Sequence, residues 1–389
     1  MIKKWSSRLT FFAFVVLMVG LGSNDSLRGI FSTIFQEHFS LTTTQLGLIV
    51  TASYIGNLVF LLVGGNLSTR FSKKRVLQVL ILIWMAALAL FAFTSNYTVL
   101  LIGMALALGS STLLNTTMNL ITPLLFATAP GFFVNFLFFT QEIGTSGSQY
   151  ILGSHADGFS FWQHTNLVLL ILGAVAFVLL LFCNVPEEAA APSDAPAQKG
   201  GYDWRIIVPY VLVFGFYFIA EHGVMNWMVA YGVDGLGLPQ ASAAKYLSVF
   251  FGGMMIGRLC LSPLVDKLGA LKSLAAFGGV SCVLYLIGSL GGAVTMPVWA
   301  ISGLSFSILY PTLVMSIRLY FPAQQVSGAA GTILSIASLA DILFNVGFGK
   351  LVDMAGYAVS IRVLPLSALA FFIVFMLFTK FCKPTQKLK

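Results

Sequence analysis

The chain has 389 residues, of which 58% are hydrophobic and only 9% charged, and its mean hydropathy is +0.92. A soluble domain carries roughly 25% charged residues, so this composition excludes a water-facing globule and points to lipid as the solvent. The net charge of +8 does not indicate nucleic acid, because the basic residues fall in short loops between apolar stretches.

A helix needs about 20 apolar residues to cross the hydrocarbon core of a bilayer. In chain order the qualifying segments are 8–30, 45–67, 76–94, 98–121, 131–153, 165–185, 206–231, 242–265, 271–292, 295–320, 326–350 and 358–382. An all-α membrane protein of twelve transmembrane helices is therefore expected. The first segment follows Lys3-Lys4-Trp5 and imitates a signal peptide, but no small-residue cleavage site comes after it, so it reads as a retained helix. The hydrophilic stretch from Pro186 to Arg205 contains Glu187, Glu188, Asp194 and Lys199-Gly200-Gly201 and has the composition of a flexible linker. It separates two six-helix bundles, 1–185 and 206–389, with 186–205 between them. Cys183, Cys260, Cys282 and Cys382 lie in or beside apolar segments, without metal-ligand spacing or a disulfide framework.

The loops set an orientation. With the N-terminus in the cytoplasm, that side holds Lys3, Lys4, Arg8, Arg70, Lys73, Lys74, Arg75, Lys199, Arg205, Lys267, Lys272, Lys380, Lys383, Lys387 and Lys389. The other side holds Lys245, Lys350 and Arg362. Fifteen basic residues against three place both termini and the linker in the cytoplasm. A multi-pass protein of the cell inner membrane is expected, acting as a monomer with lipid around it.

The chain also repeats itself. After the second segment it reads Gly65 to Arg75, with Thr69-Arg70 and Ser72-Lys73-Lys74 at its centre. After the eighth it reads Ser262 to Lys272, with Asp266-Lys267 and Gly269, starting 197 positions later. Gly153 to Asp157 after the fifth segment matches Gly349 to Asp353 after the eleventh, at an offset of 196. Two independent pairs at nearly one offset argue for duplicated halves.

These loops resemble the signature of the major facilitator superfamily, Gly-x-x-x-Asp-Arg-x-Gly-Arg-Lys between the second and third helices. The first copy keeps Gly65 and Arg70 but has Thr69 in place of the acid and Ser72 in place of the second glycine; the second copy restores Asp266, Lys267 and Gly269. The resemblance covers the whole chain. It implies the major facilitator fold, with first, fourth, seventh and tenth helices lining a cavity, and a cytoplasmic gate held by Arg70, Asp266 and Lys267 with Arg258 as partner. A narrower resemblance is to the fucose/galactose/glucose–proton symporter group. It rests on Asn24-Asp25 with Arg28-Gly29 and Phe31, on Phe39 to Gly47, on Asn115 and Asn119, and on Asn135 with Gly144 and Gly147. That group uses acids of the first and fourth helices for sugar and proton. Asp25 fits the first role; the fourth segment holds no acid here, and Glu142 of the fifth is the nearest substitute.

Charge within the segments is informative. The third, sixth, ninth and twelfth have none in their interiors, whereas Asp25, Arg28, Glu142, Glu221, Arg258 and Asp341 fall in the others. A charge in lipid costs at least about 2.5 kcal/mol, so those four helices are expected to face lipid. Glu142, Glu221 and Asp341 lie near mid-membrane and Asp25 in the outer half, counting about 1.5 Å per residue. Asp25, Glu142, Glu221 and Asp341 are the candidate proton-coupling acids; a structural ion pair or packing hydrogen bond is the competing reading for each. In the seventh segment Tyr217 and Glu221 share a face, His222 and Asn226 share the next, and Trp227 lies apart. His222 reads as a satisfied packing residue and Tyr231 as an anchor at the membrane interface. Asn115 and Asn119, also i,i+4, face a cavity or another helix. Tyr310-Pro311 marks a break or a kink in the tenth segment. The candidate solute-binding set is Asn24, Asn115, Asn119, Tyr217, Glu221, Asn226, Trp227 and Tyr310.

No nucleotide-binding loop, metal cluster or nucleophile elbow is present, so no enzyme chemistry and no cofactor is expected. The leading expectation is a secondary active transporter that moves a small polar solute, a sugar or polyol, by alternating access with protons, or sodium in their place. A proton-coupled exporter of drugs or metabolites and an organic-anion carrier are the alternatives. A membrane sensor would need a soluble domain, and no long hydrophilic region exists to form one.

Overall fold

The computed structural model describes the backbone of residues 2–126, 130–186 and 202–384; side chains at 2–6, 63–70, 130–132, 135, 266, 323, 324 and 327 fall outside the described set. The chain forms two compact units, 1–193 and 194–389. Among the described residues the secondary structure is helical, and eleven helices are long and apolar enough to cross a membrane.

The first unit contains α1 (Ile2–Ile30), the short α2 (Ser32–Phe39), α3 (Thr43–Arg70), α4 (Lys73–Phe93), α5 (Tyr97–Leu125), α6 (Pro130–Ile151) and α7 (Phe159–Phe182). The fifth expected segment is α6, which the count of eleven omits. Capping is local: the Ser72 and Asn96 side chains accept from the backbone N–H of Arg75 and Val99, satisfying donors that a helix start leaves open. Lys74 Nζ donates to the carbonyls of Leu181 and Cys183 at 3.0 and 2.8 Å. One lysine of the basic loop therefore ties the start of α4 to the C-terminal end of α7, where carbonyls lack helical partners.

The second unit contains α8 (Trp204–Ala230), a π turn (Tyr231–Gly235), α9 (Gln240–Leu268), α10 (Ala270–Leu290), α11 (Met296–Ile301), α12 (Gly303–Phe306), α13 (Leu309–Ser316), α14 (Ala323–Ala355), α15 (Tyr357–Ser360) and α16 (Val363–Phe381). The tenth expected segment is thus three short helices. Pro311 has no N–H to give the carbonyl of Ser307. Three serines also turn back on the chain: Ser302, Ser305 and Ser307 donate to the carbonyls of Trp299, Ser302 and Leu304 at 2.6, 2.9 and 2.7 Å. Such back-bonding competes with the regular ladder and bends helices. The interruptions fall at Ser302 and at Ser307–Ile308, ahead of Tyr310.

Helix contacts are close because small residues sit at the crossings. In α1 and α6, Gly22 meets the main chain of Gln141 and Gly144 meets that of Val19, so neither position has room for a Cβ. Ser23 Oγ donates to the Gly144 carbonyl and Thr145 Oγ1 to the Gly22 carbonyl. In α3, Gly56 lies on the main chain of Ala105 of α5; in α9, Gly253 lies on the main chain of Gly303 and Leu304 of α12. Gly253 stands 197 positions after Gly56, the offset of the loop repeat, so the duplication extends to the packing of the helices.

The four helices expected to face lipid each expose apolar rows. On α7 the row is Val168, Ile171, Val175, Val178 and Phe182, while Leu169, Gly173, Ala176 and Leu180 are buried on the other side. Exposed rows also occur on α4 (Val79, Leu82, Phe93), α10 (Val280, Val283, Ile287, Leu290) and α16 (Leu366, Ile373, Leu377, Phe381). In a lipid solvent such rows need no cover.

Gly22→Ala is expected to destabilise the protein by about 1–3 kcal/mol through overpacking, lowering the melting temperature in detergent. Gly147→Ala, where a Cβ would meet nothing within 4 Å, is expected to leave it unchanged or slightly higher. Differential scanning fluorimetry of both variants checks this.

Candidate functional site

In the first unit the polar residues form two groups. Asp25 on α1 accepts a hydrogen bond from Ser111 Oγ of α5 at 3.3 Å, and Arg28, about one turn further along α1, supplies the opposing charge. Arg28 is buried, with its guanidinium carbon 5.9 Å from the Tyr54 ring centroid, a cation–π distance. Asp25 Oδ1 and Arg28 Nε are buried without a hydrogen-bond partner. An acid, a guanidinium and a hydroxyl are thus gathered at one level with bonding capacity left over.

The second group is a run of amides. Asn119 Nδ2 donates to Asn115 Oδ1, and Asn115 Nδ2 donates to Gln141 Oε1 of α6, both at 2.6 Å. The i,i+4 pair on α5 is therefore ordered end to end. Asn119 Oδ1 is left as a buried acceptor without a partner. An acceptor at one end and an amide N–H₂ at the other suit a hydroxylated ligand, since a hydroxyl both donates and accepts.

In the second unit Glu221 is buried on α8. Its charge acts on the hydroxyls of Tyr217, Tyr285 and Tyr310, and Arg258 of α9 acts on Tyr217 and Tyr310. Tyr217 and Tyr310 stack at 6.1 Å between ring centroids and 28° between planes, and Phe306 lies 5.9 Å from Tyr217. Tyr285 Oη donates to the Ala220 carbonyl at 2.6 Å, whereas the buried Tyr217 hydroxyl has no hydrogen-bond partner. The break in the tenth segment brings Tyr310 here, at the start of α13. One acid, one guanidinium and stacked tyrosines form an aromatic pocket wall with a polar floor.

Several expected site residues are placed elsewhere. Asn24 Oδ1 accepts from Trp84 Nε1 at 3.2 Å; it pins α1 to α4 instead of joining Asp25. Trp227 is fully buried, its Nε1 donates to Asn345 Oδ1 at 2.8 Å, and its ring packs on Phe348 at 4.8 Å. It is a brace between α8 and α14. Asn226 is buried, with Oδ1 unpaired. Tyr231 is not a surface anchor: it is buried at the head of the π turn near Trp299 and Tyr357. Arg258 stands two turns before Asp266, about 12 Å along the helix, and its charge serves the tyrosine pocket. Asp341 is buried and hydrogen-bonded to His222. Glu142 is half-buried on α6, and Lys267 is exposed at the end of α9. The side chains of Arg70 and Asp266, both assigned to the gate, lie outside the described residues.

The sequence reading passed over Ser111, Gln141, Gln149 and Tyr285. Ser111 and Tyr285 look like ordinary polar residues of membrane helices; only the fold turns them toward an acid. Gln149 lies one turn beyond Thr145 on α6 and is fully buried, with neither side-chain polar atom hydrogen-bonded. A buried amide in a membrane helix was a usable signal.

With this geometry the relationships are clear. A profile of the major facilitator superfamily matches residues 10–340, and the chain belongs to that family of membrane transporters. It is a multi-pass membrane protein. The L-fucose-proton symporter of Escherichia coli (strain K12) is 24% identical over 93% of this chain and 90% of its own length. A glucose/galactose transporter of Brucella abortus biovar 1 (strain 9-941) is 27% identical over 82% of this chain and 81% of its own. The crystal structure of a D-xylose-proton symporter superposes with a TM-score of 0.78, covering 97% of this chain and 98% of that one, at 15% identity.

Trp227→Phe removes the bond to Asn345 and leaves a buried acceptor, and is expected to cost about 1–3 kcal/mol of stability with little change in solute affinity. A thermal melt paired with a binding measurement separates the two effects.

Proposed function

We propose that the protein is a proton-driven symporter of a sugar or related polyol, with both termini in the cytoplasm of a bacterial inner membrane. It works as a monomer by alternating access between its two halves, 1–185 and 206–389, joined by the linker 186–205. The observation that carries this reading is the setting of Glu221, a buried carboxylate among Tyr217, Tyr285 and Tyr310. A carboxylate and phenols offer several bonds to hydroxyls, and a ring face packs on sugar C–H groups. The amide run Asn119–Asn115–Gln141 and the pair Asp25–Ser111 supply matching groups in the other half. The sugar transporters among the relatives support the substrate class.

In this scheme Glu221, Tyr217, Tyr310, Asn115 and Asn119 hold the solute. Asp25, Glu142, Glu221 and Asp341 are the acids available for coupling. Each lies in a helix that the membrane encloses, so a net charge there changes the cost of moving between states. Arg70, Asp266 and Lys267 take the cytoplasmic gate.

A second reading is favoured by Arg258, whose charge reaches the same tyrosines. A guanidinium pairs with carboxylates in bidentate fashion, so an acidic sugar is the alternative cargo. Comparing neutral hexoses and pentoses with hexuronates in one thermal-shift panel distinguishes the two.

The test is uptake in proteoliposomes under an inward proton gradient. One pH unit supports about tenfold accumulation for one proton per solute, since about 1.4 kcal/mol is a factor of ten. Wild type is expected to approach that level with its cargo, and Glu221→Gln is expected to lose both solute binding and uphill uptake. Unchanged accumulation by Glu221→Gln would sink the assignment.

A further inference from the structure

Beside the tyrosine pocket, on the next face of α8, lies a pair that solute binding leaves unused. His222 Nδ1 is 2.8 Å from Asp341 Oδ2 of α14. Asp341 is 2% exposed, and its other oxygen, Oδ1, is buried without a hydrogen-bond partner. The His222 side chain is 26% exposed, and its ring is stacked on Phe218 at 5.3 Å and 7°. The support is rigid. Asn345 Nδ2 donates to the main-chain carbonyl of Asp341 at 2.8 Å, and Trp227 Nε1 holds the Asn345 side chain. Residues on both sides of His222 and Asp341 thus fix the spacing of α8 and α14.

We propose that the His222–Asp341 pair is the site that carries the transported proton, with the proton on His222 Nε2. The proposal rests on the symport reading and deepens it. The proton count is simple. Asp341 as a carboxylate accepts from Nδ1–H, which fixes the tautomer and leaves Nε2 as the free base. In that state the pair carries a net charge of minus one. A proton taken from water on one side of the membrane adds to Nε2 and brings the pair to net zero; the same proton leaves from Nε2 to water on the other side. Nδ1–H stays on Asp341 throughout, so the buried carboxylate need never be exposed. The partly exposed ring is the part that meets water.

The surroundings leave this pair as a separate titrating unit. Packed against α8 are α9, α14, α16 and the π turn. On α8 itself Glu221 is the adjacent residue, and its charge acts on Tyr217, Tyr285 and Tyr310. From α9 comes Arg258, acting on Tyr217 and Tyr310. On α14 the other charges are Lys350 and Asp353, more than two turns beyond Asp341. In α16 no charge precedes Lys380, and the π turn contributes Asp234, twelve positions from His222. Glu221 and His222 being consecutive on one helix, a solute on the first and a proton on the second bias the same element. That is a physical route to coupling.

Two measurements test it. In proteoliposomes with a pH-sensitive dye, wild type moves about one proton per solute, and His222→Gln is expected to drop that ratio at least fivefold while slower downhill uptake persists. Asp341→Asn should drop it likewise. A merely structural pair would lower the melting temperature and leave the ratio unchanged, and that result would overturn the proposal. If no sugar moves even in wild type, the symport reading has failed, and the pair is then judged by NMR of protein carrying ¹⁵N-histidine. The expected signature is the Nδ1–H tautomer of His222, gaining a proton at Nε2 between pH 8 and pH 5, with the tautomer altered in Asp341→Asn. A ring that gains no proton over that range, or is indifferent to Asp341→Asn, overturns the proposal.

Discussion

The cost of a charge in a medium without water governs this structure. A chain with 9% charged residues keeps a few of them at membrane depth, and each one described has company. Asp25 has Ser111 and Arg28; Arg28 has the Tyr54 ring; Glu221 acts on three tyrosines; Asp341 has His222. Stability alone would favour apolar residues at such positions, because desolvation tends to cancel the gain from pairing. Retained intramembrane charges are best understood as working parts.

The helices make such clusters by approaching closely. Gly22 and Gly144 let α1 and α6 touch main chain to main chain, and that contact carries Gln141 to the amides of α5. The equivalent economy in the second unit is the broken tenth segment. Its serines satisfy their hydroxyls on their own backbone, and the restart at α13 turns Tyr310 onto Tyr217. Packing and site are therefore one problem: a Cβ in the wrong place would move a functional side chain.

Much of this was legible in the sequence. Hydropathy located the helices, and the 197-residue offset found in the loops recurs in the glycine contacts of Gly56 and Gly253. The absence of charge from four segments matched their exposed apolar rows. Individual partners were not legible. Asn24 and Trp227 carry the same hydrogen-bonding groups as true site residues, and helical periodicity gives a face without saying which neighbour covers it. Asn24 meets Trp84 and Trp227 meets Asn345, so both are structural. His222 looked like a packing residue for the same reason, and its partner lies 119 positions away.

The most direct test is to add candidate solutes to wild-type proteoliposomes in a weakly buffered medium without any imposed gradient, and to follow external pH. A proton symporter of sugars is expected to alkalinise the medium when its hexose, pentose or polyol is added, in proportion to the solute taken up. Solute entry without any change in pH, or acidification of the medium on entry, would contradict the account.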